Sequence, residues 1–245
     1  MFSFFKKKKK PVCEAPRLKV DLHSHLIPGI DDGSQSMEES LLLLQEMKGM
    51  GYQKVITTPH IMSDTYRNTP EIIEEGLADL RQALREEGID IMIEAAAEYY
   101  LDDGFLDLLH KGDMLVIQDK YLLFETSYVS KPLRTEEMIF EMVSAGYIPL
   151  MAHPERYRYI KNPEEEYRRW KELGVLFQVN INSFGGHYGK SAYTLAHFLS
   201  TRGMIDYLGS DTHHMKHLDG IKTIVSSEEY AEIFVHNTIA NDSFL

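Results

Sequence analysis

The sequence predicts an α/β protein built on one parallel barrel. Three observations carry that expectation. Short apolar runs alternate with amphipathic helical segments along the whole chain after residue 17. The runs are apolar almost throughout, as in strands buried on both faces. No linker or shift of composition interrupts the series, so 18–245 reads as one domain. About seven strand–helix units can be counted, one short of the eight-stranded barrel. An incomplete or distorted barrel is therefore the expected architecture, with an open doubly wound sheet as the alternative. A chain of 245 residues can bury one core of that size.

The expected strands are 18–23 (LKVDLH), 54–58 (KVITT), 90–97 (DIMIEAAA), 121–125 (YLLFE), 147–152 (YIPLMA), 175–181 (VLFQVNI) and 205–209 (IDYLG). Helical punctuation separates them. Ser36 followed by Glu39 forms a capping box before LLLLQEM. Thr69-Pro70-Glu71 and Asn162-Pro163-Glu164 each place an N-cap before a first-turn proline. Thr135 opens a helix that closes near Gly146, and Gly51 and Gly174 follow two other helical segments.

Bulk properties exclude several function classes. The net charge is -12, with no long basic patch in the body, which argues against duplex nucleic acid as a partner. Cys13 is the sole cysteine, so no internal disulfide forms and a reducing cytoplasm fits. The start, MFSFFKKKKK, reverses the order of a secretory signal, and no run approaches the ~20 apolar residues of a membrane span. Residues 1–17 are expected to be a solvated basic tail. The alternative is peripheral adhesion to anionic lipid at the inner membrane face, at roughly 1 kcal/mol per lysine.

Polar residues gather at the C-terminal strand ends. The stretch DLHSHLIPGIDDG supplies His23, His25, Asp31 and Asp32, and TTPH supplies His60. Glu98 and Glu125 end the third and fourth strands, and AHPER gives His153. Asn180 and Asn182 follow the sixth strand, and SDTHH gives Asp211 and His213 after the seventh. In parallel barrels that rim is where sites are built. One histidine at a strand end is usually an ordinary hydrogen-bonded residue; contributions from nearly every strand point to a shared site. Residues i and i+2 of a strand face one side, so His23 pairs with His25 and Asp211 with His213, while Asp21 can support a ligand from behind. Mixed nitrogen and oxygen donors suit manganese, iron or zinc better than magnesium or calcium. Nine donors exceed the needs of one ion, so two or three are expected, manganese first. Three divalent ions against Asp32, Glu98, Glu125 and Asp211 leave about two positive charges, which matches a phosphate dianion.

These motifs resemble the PHP superfamily of polymerase-associated domains and histidinol phosphatases. DLHSHLIPGIDDG with TTPH, HPER and SDTH is similar, more narrowly, to the CpsB/CapC group of bacterial metal-dependent tyrosine phosphatases of capsule and exopolysaccharide synthesis. The resemblance runs from about residue 18 to 240. It implies a distorted (β/α)7 barrel with a trinuclear metal centre. It implies His23, His25, Asp32, His60, Glu98, Glu125, His153, Asp211 and His213 as metal ligands, Glu98 bridging two ions. Asp31 then stands behind the ligands, and Arg156 of HPER contacts phosphate. The sequence departs from the pattern after SDTH, where SDTHHMKHLDG has no arginine. Lys216 or His217 is the available substitute, and an ammonium lacks the bidentate fork of a guanidinium.

The expected activity is removal of phosphate from protein tyrosine by in-line attack of a metal-bridged hydroxide. The implied partner is the tyrosine-rich tail of a bacterial tyrosine autokinase. The alternative is a small-molecule phosphatase of the histidinol-phosphate type. An amidohydrolase would commonly carry a bridging lysine at a strand end, and none stands there. Nine ligands exceed what a purely structural metal needs. Cys13 has Lys19, not arginine, six residues on, which excludes the cysteine phosphatase signature. Asn180 is assigned to substrate. Tyr157 and Tyr159 either flank an aromatic leaving group or pack. His110, His187, His197 and His236 fit no ligand position, and His214 adjoins one.

Overall fold

A computed structural model describes residues 18–245; the basic tail, its lysine run and Cys13 lie outside the described residues. The apolar runs form β1 (Val20–Asp21), β2 (Lys54–Thr57), β3 (His60–Ile61), β4 (Met92–Ala95), β5 (Glu98–Tyr100), β6 (Tyr121–Glu125), β7 (Ile148–Ala152), β8 (Leu176–Asn180) and β9 (Tyr207–Gly209). Every pairing between them is parallel, in the orders β1-β2-β4 and β3-β5-β6-β7-β8-β9.

Two strands run on past their expected ends, 58 and 97, and each is interrupted there. The second divides at Pro59 into β2 and β3, and the third divides at Ala96-Ala97 into β4 and β5. Pro59 has no N–H to give to a ladder, so the strand bends there. Its neighbour bends with it. Ala96 N–H still reaches Thr57 O at 2.9 Å, and Glu98 N–H reaches Pro59 O at 3.0 Å. The shared kink sets His60 and Glu98 opposite each other as the first residues of the second halves.

The barrel closes between the first strand and the last. The chain beyond β1 runs beside the chain beyond β9. Asp211 N–H bonds His23 O at 2.8 Å and His25 N–H bonds Thr212 O at 2.9 Å, around a parallel bridge from Ser24 to Thr212. This closure excludes the open doubly wound sheet. With β2 and β3 as one bent strand, and β4 and β5 as another, the barrel has seven strands and is distorted as expected.

One helix follows each barrel strand: α1 (Met37–Met50), α2 (Pro70–Glu86), α3 (Phe105–Lys111), α4 (Thr135–Ser144), α5 (Pro163–Glu172), α6 (Gly189–Thr201) and α7 (Met215–Ile224), with α8 (Glu228–His236) added. Ser36 caps α1 by accepting Glu39 N–H at 3.2 Å, while the Glu39 carboxylate accepts Gln35 N–H. Gly51 ends α1 at φ 106°, a conformation that a Cβ would strain. Thr69 accepts Ile72 N–H at 3.4 Å ahead of Pro70. Asn162 departs from expectation. Its side chain donates to Glu165, and Glu166 accepts the backbone N–H groups of Lys161 and Asn162 instead.

Val20, Leu22, Ile56, Leu123 and Leu150 fill the barrel interior below the rim. The C-terminal segment seals its base. Phe244 stacks on Tyr207 at 5.1 Å and meets Tyr121 edge-on at 5.2 Å. Asn241, fully buried, donates to Val20 O and Leu208 O and accepts Leu208 N–H. One amide thus ties β1 to β9 below the seam. No helix among the described residues is long and apolar enough to cross a membrane. Asn241→Ala strands these buried backbone groups, and urea unfolding should show a loss of about 2–4 kcal/mol. A loss under about 0.5 kcal/mol would remove Asn241 from the closure.

Candidate metal centre

The nine strand-end residues converge on one rim of the barrel. Their donor atoms form four overlapping groups: His25, Asp32, His60 and His213; His23, Glu98 and His153; His23, His25 and Asp211; and His60, Glu98 and Glu125. Within each group all donors lie within 4.8 Å of one another. Most are buried, with Asp32 the exposed member at 54%.

Strand alternation turns His23 and His25 to one side, with their Nε2 atoms 3.3 Å apart. The opposite ring nitrogens are occupied. His23 Nδ1–H donates to Gln178 Oε1 at 2.6 Å, and the Gln178 amide is held by donating to Asn180 Oδ1. His25 Nδ1–H donates to Asp31 Oδ2 at 2.8 Å. Asp31 is fixed in turn by Gly33 N–H on its other oxygen. Each imidazole is therefore oriented with an Nε2 lone pair facing inward. Gly33 is needed here, because a Cβ would lie 2.3 Å from His25 O.

Glu98 is the hub. Its Oε2 lies 3.2 Å from His23 Nε2, 3.4 Å from His25 Nε2 and 3.3 Å from His60 Nδ1. Its Oε1 lies 3.0 Å from His153 Nε2. Glu125 Oε1 approaches His60 Nδ1 to 3.3 Å, and Asp32 Oδ1 is 3.4 Å from both His60 and His213. Asp211 Oδ1 is 3.6 Å from both His23 and His25. Donors bound about 2.1 Å from a tetrahedral or octahedral ion lie about 3.0–3.4 Å apart, so this spacing suits shared cations. The buried Nδ1 atoms of His60 and His153 have no hydrogen-bond partner.

Asp211 and His213 meet by a different route from strand alternation. Asp211 has φ 49° and His153 has φ 33°, the left-handed region that side chains disfavour. Asp21 steadies the strained turn by accepting both the N–H and the hydroxyl of Ser210, at 2.8 and 2.7 Å. It therefore supports Asp211 rather than a histidine. Asp211 Oδ2 accepts Arg156 Nη1 at 2.9 Å and Asn180 Nδ2 at 2.7 Å.

The titration pattern reflects a shortage of positive charge. Burial opposes ionisation of Glu98, yet the His23 and His60 imidazoles hold its carboxyl well below the usual range. Burial, and then the Glu98 charge, push Glu125 up to about 8. Burial disfavours a charged His23, but Glu98 and Asp211 raise it to about 10. Without cations the buried carboxylates are balanced by protons on their neighbours, which bound cations would replace.

The family profile for capsular polysaccharide synthesis, CpsB/CapC, matches residues 19–237. The chain belongs to the CpsB/CapC family. The tyrosine-protein phosphatase YwqE of Bacillus subtilis is 28% identical over 198 residues, covering 80% of this chain and 78% of that protein. The tyrosine-protein phosphatase CpsB of Streptococcus pneumoniae is 28% identical over 202 residues, covering 80% and 83%. A crystal structure from work on YwqE and CpsB, described as unique metal-dependent tyrosine phosphatases, superposes with a TM-score of 0.77 at 26% identity, covering 90% of this chain and 96% of that one.

Several other expected contacts of this CpsB/CapC chain are placed differently. Asn180, expected at substrate, is fully buried behind Asp211 with both amide atoms engaged. Lys216 is exposed on the first turn of α7 and makes no hydrogen bond or ion pair among the described residues. His217 is buried and accepts His213 N–H at 3.2 Å, so it steadies the SDTH turn and is not free to stand in for the missing arginine. His110 is exposed on α3, 3.5 Å from the Glu141 carboxylate and away from the rim residues. Sequence reading missed Gln178, Tyr128 and Tyr188. Gln178 shares a strand face with Asn180, a signal that period-2 counting offers. The two tyrosines sit in connections and carried none.

Tyr157 and Tyr159 pack. The Tyr157 hydroxyl donates to Ala152 O and accepts Thr126 N–H, and Tyr159 stacks on it while bonding Thr126 Oγ1. Tyr157→Phe leaves the buried Thr126 N–H unpaired, so thermal unfolding should report a loss of about 1–3 kcal/mol. A Tyr157→Phe protein of unchanged stability would mean that this hydroxyl does not brace the loop.

Proposed function

We propose that this chain is a metal-dependent phosphatase that hydrolyses phosphotyrosine in protein. The observation that carries the reading is the single rim where four overlapping donor groups meet, two of them sharing Glu98, with Arg156 bonded to Asp211 beside them. The reading is supported by the family and by the tyrosine-protein phosphatase activity for which the relatives are named. His23, His25, Asp32, His60, Glu98, Glu125, His153, Asp211 and His213 would hold two or three divalent ions. Manganese suits these donors, with iron and zinc as alternatives. Glu98 belongs to two groups, with His23 and His60 near its Oε2 and His153 near its Oε1, and is the bridging ligand of this reading. Bound ions would polarise phosphoryl oxygens and lower the pKa of water at neutral pH.

The chain's own groups do the rest. Among the described residues Arg156 is the one guanidinium that bonds a candidate ligand; it is 22% exposed, with N–H groups left over after its bond to Asp211. It would donate them to the phosphoryl oxygens, more strongly as charge builds there. Gln178 and Asp31 hold the His23 and His25 imidazoles with their Nε2 atoms inward. Cations on this rim also explain how a protein of net charge -12 receives an anion. The proposed substrate is the phosphotyrosine tail of a bacterial tyrosine autokinase in the cytoplasm, in keeping with the capsular role of the family.

Elemental analysis of active protein should find two to three transition-metal ions per chain, lost together with activity on chelation. One ion or fewer in active protein would sink the multinuclear reading. Rates on a phosphotyrosine peptide, a phosphoserine peptide and histidinol phosphate decide the substrate, and a preference for histidinol phosphate would overturn the protein assignment. Glu98→Gln should release at least one ion and lower kcat more than ~100-fold, the scale of about 3 kcal/mol. Arg156→Ala should keep its metal, because Asn180 and Asp21 still hold the Asp211 turn, while kcat/KM falls ~10²–10³-fold, the scale of one lost oxyanion donor. A surface ion pair would instead leave kcat/KM unchanged and shift stability by about 0–1 kcal/mol.

A further inference from the structure

Arg156 is held in a way that its ion pair does not explain. Its Cζ lies 4.4 Å from the centre of the Tyr128 ring and 4.3 Å from the centre of the Tyr188 ring. Tyr128 comes from the connection after β6, and Tyr188 from the residue just before α6. The rings make no stacking contact with each other, so they cover different sides of the cation. Each ring is anchored. Tyr128 packs against His153 and Tyr157, at 5.6 and 6.1 Å between ring centres. The Tyr188 hydroxyl sits 3.5 Å from both Asp211 Oδ2 and Asn180 Nδ2.

We infer that Tyr128 and Tyr188 are positioning residues that fix the plane of the Arg156 guanidinium for in-plane capture of a phosphoryl group. The inference rests on the phosphatase reading and adds two residues that no sequence motif marks. An arginine side chain samples many rotamers, and a guanidinium free to turn loses its bidentate geometry. Aromatic faces attract the cation over its plane and leave its N–H groups pointing outward along the edges. One edge is spent on Asp211 Oδ2 at 2.9 Å. The other side-chain N–H groups make no hydrogen bond among the described residues and are the donors left for an oxyanion. The clamp also ties three barrel connections to one point: those after β6, β7 and β8.

The test is calorimetric binding of inorganic phosphate to manganese-loaded protein, with metal content and melting temperature measured for each variant. Tyr128→Leu and Tyr188→Leu should each weaken phosphate about 5- to 30-fold, the range of a shielded cation–π contact, with metal content unchanged. Tyr128→Phe and Tyr188→Phe keep the aromatic face and should stay within about 2-fold of the parent. In an Arg156→Ala background the leucine substitutions should cause no further loss. Phenylalanine variants as weak as leucine variants would overturn the inference, because the hydroxyl would then be responsible. So would leucine variants with parental affinity, or a leucine effect that persists without Arg156. If a leucine variant does not fold, Tyr→Trp at the same position decides: a clamp keeps or gains affinity, and a hydroxyl role loses it. Hydrolysis of a phosphotyrosine peptide by the parent protein is followed in parallel. Its absence would overturn the phosphatase reading, and the phosphate affinities would still decide the clamp.

Discussion

Glu98 is the interaction on which the rest of the site depends. A carboxylate with no exposure to solvent stands within 3.4 Å of nitrogens on four imidazoles. Isolated, such a charge would neutralise itself by taking a proton. It stays charged because His23, His25, His60 and His153 arrive from three different strand ends. The shared kink of the second and third strands is what brings it there. Pro59 breaks one ladder, Ala96 and Ala97 break the next, and His60 and Glu98 begin again in register. A regular eight-stranded barrel would carry no such break, so the distortion of the fold and the assembly of the site are one feature.

The opposite side of the rim is built by strain and its restraints. His153 and Asp211 both occupy left-handed backbone. Such conformations cost about 1–3 kcal/mol each and persist where neighbours over-determine them. Around Asp211 those neighbours are Asp21 through Ser210, Asn180, and Arg156. Around the HPER turn, Glu155 is buried and accepts Asn180 N–H and the Ser183 hydroxyl. The chain beyond β8 is thus bolted to both turns. Its asparagines organise the rim from behind, which is why Asn180 is spent on Asp211.

Charge links these two sides. The protein is acidic overall, and the rim concentrates carboxylates beside one arginine. Protons can balance such a cluster, as the raised His23 and Glu125 show, but divalent cations balance it better and leave a positive excess for an anion. The metal dependence of YwqE and CpsB agrees with that balance.

Much of this was legible in the chain itself. Repeated strand–helix punctuation determined the α/β barrel class, and HSH, TPH, HPER and SDTH determined which residues gather, since a parallel barrel sends all strand ends to one rim. Local chemistry fixed the Ser36 cap and the stop at Gly51, because both depend on residues a few positions apart. Tertiary structure alone decided the rest. The Pro59 kink is shared with a neighbouring strand through hydrogen bonds between distant segments. Asp211 and Asp21 took their roles from backbone strain. Asn162 gave its cap away to glutamates, and Tyr128 and Tyr188 closed on Arg156 from two unrelated connections. Periodicity reports which face a residue takes within its own element. It carries no information on which side chain from another element will stand opposite, and that pairing is what positions a guanidinium.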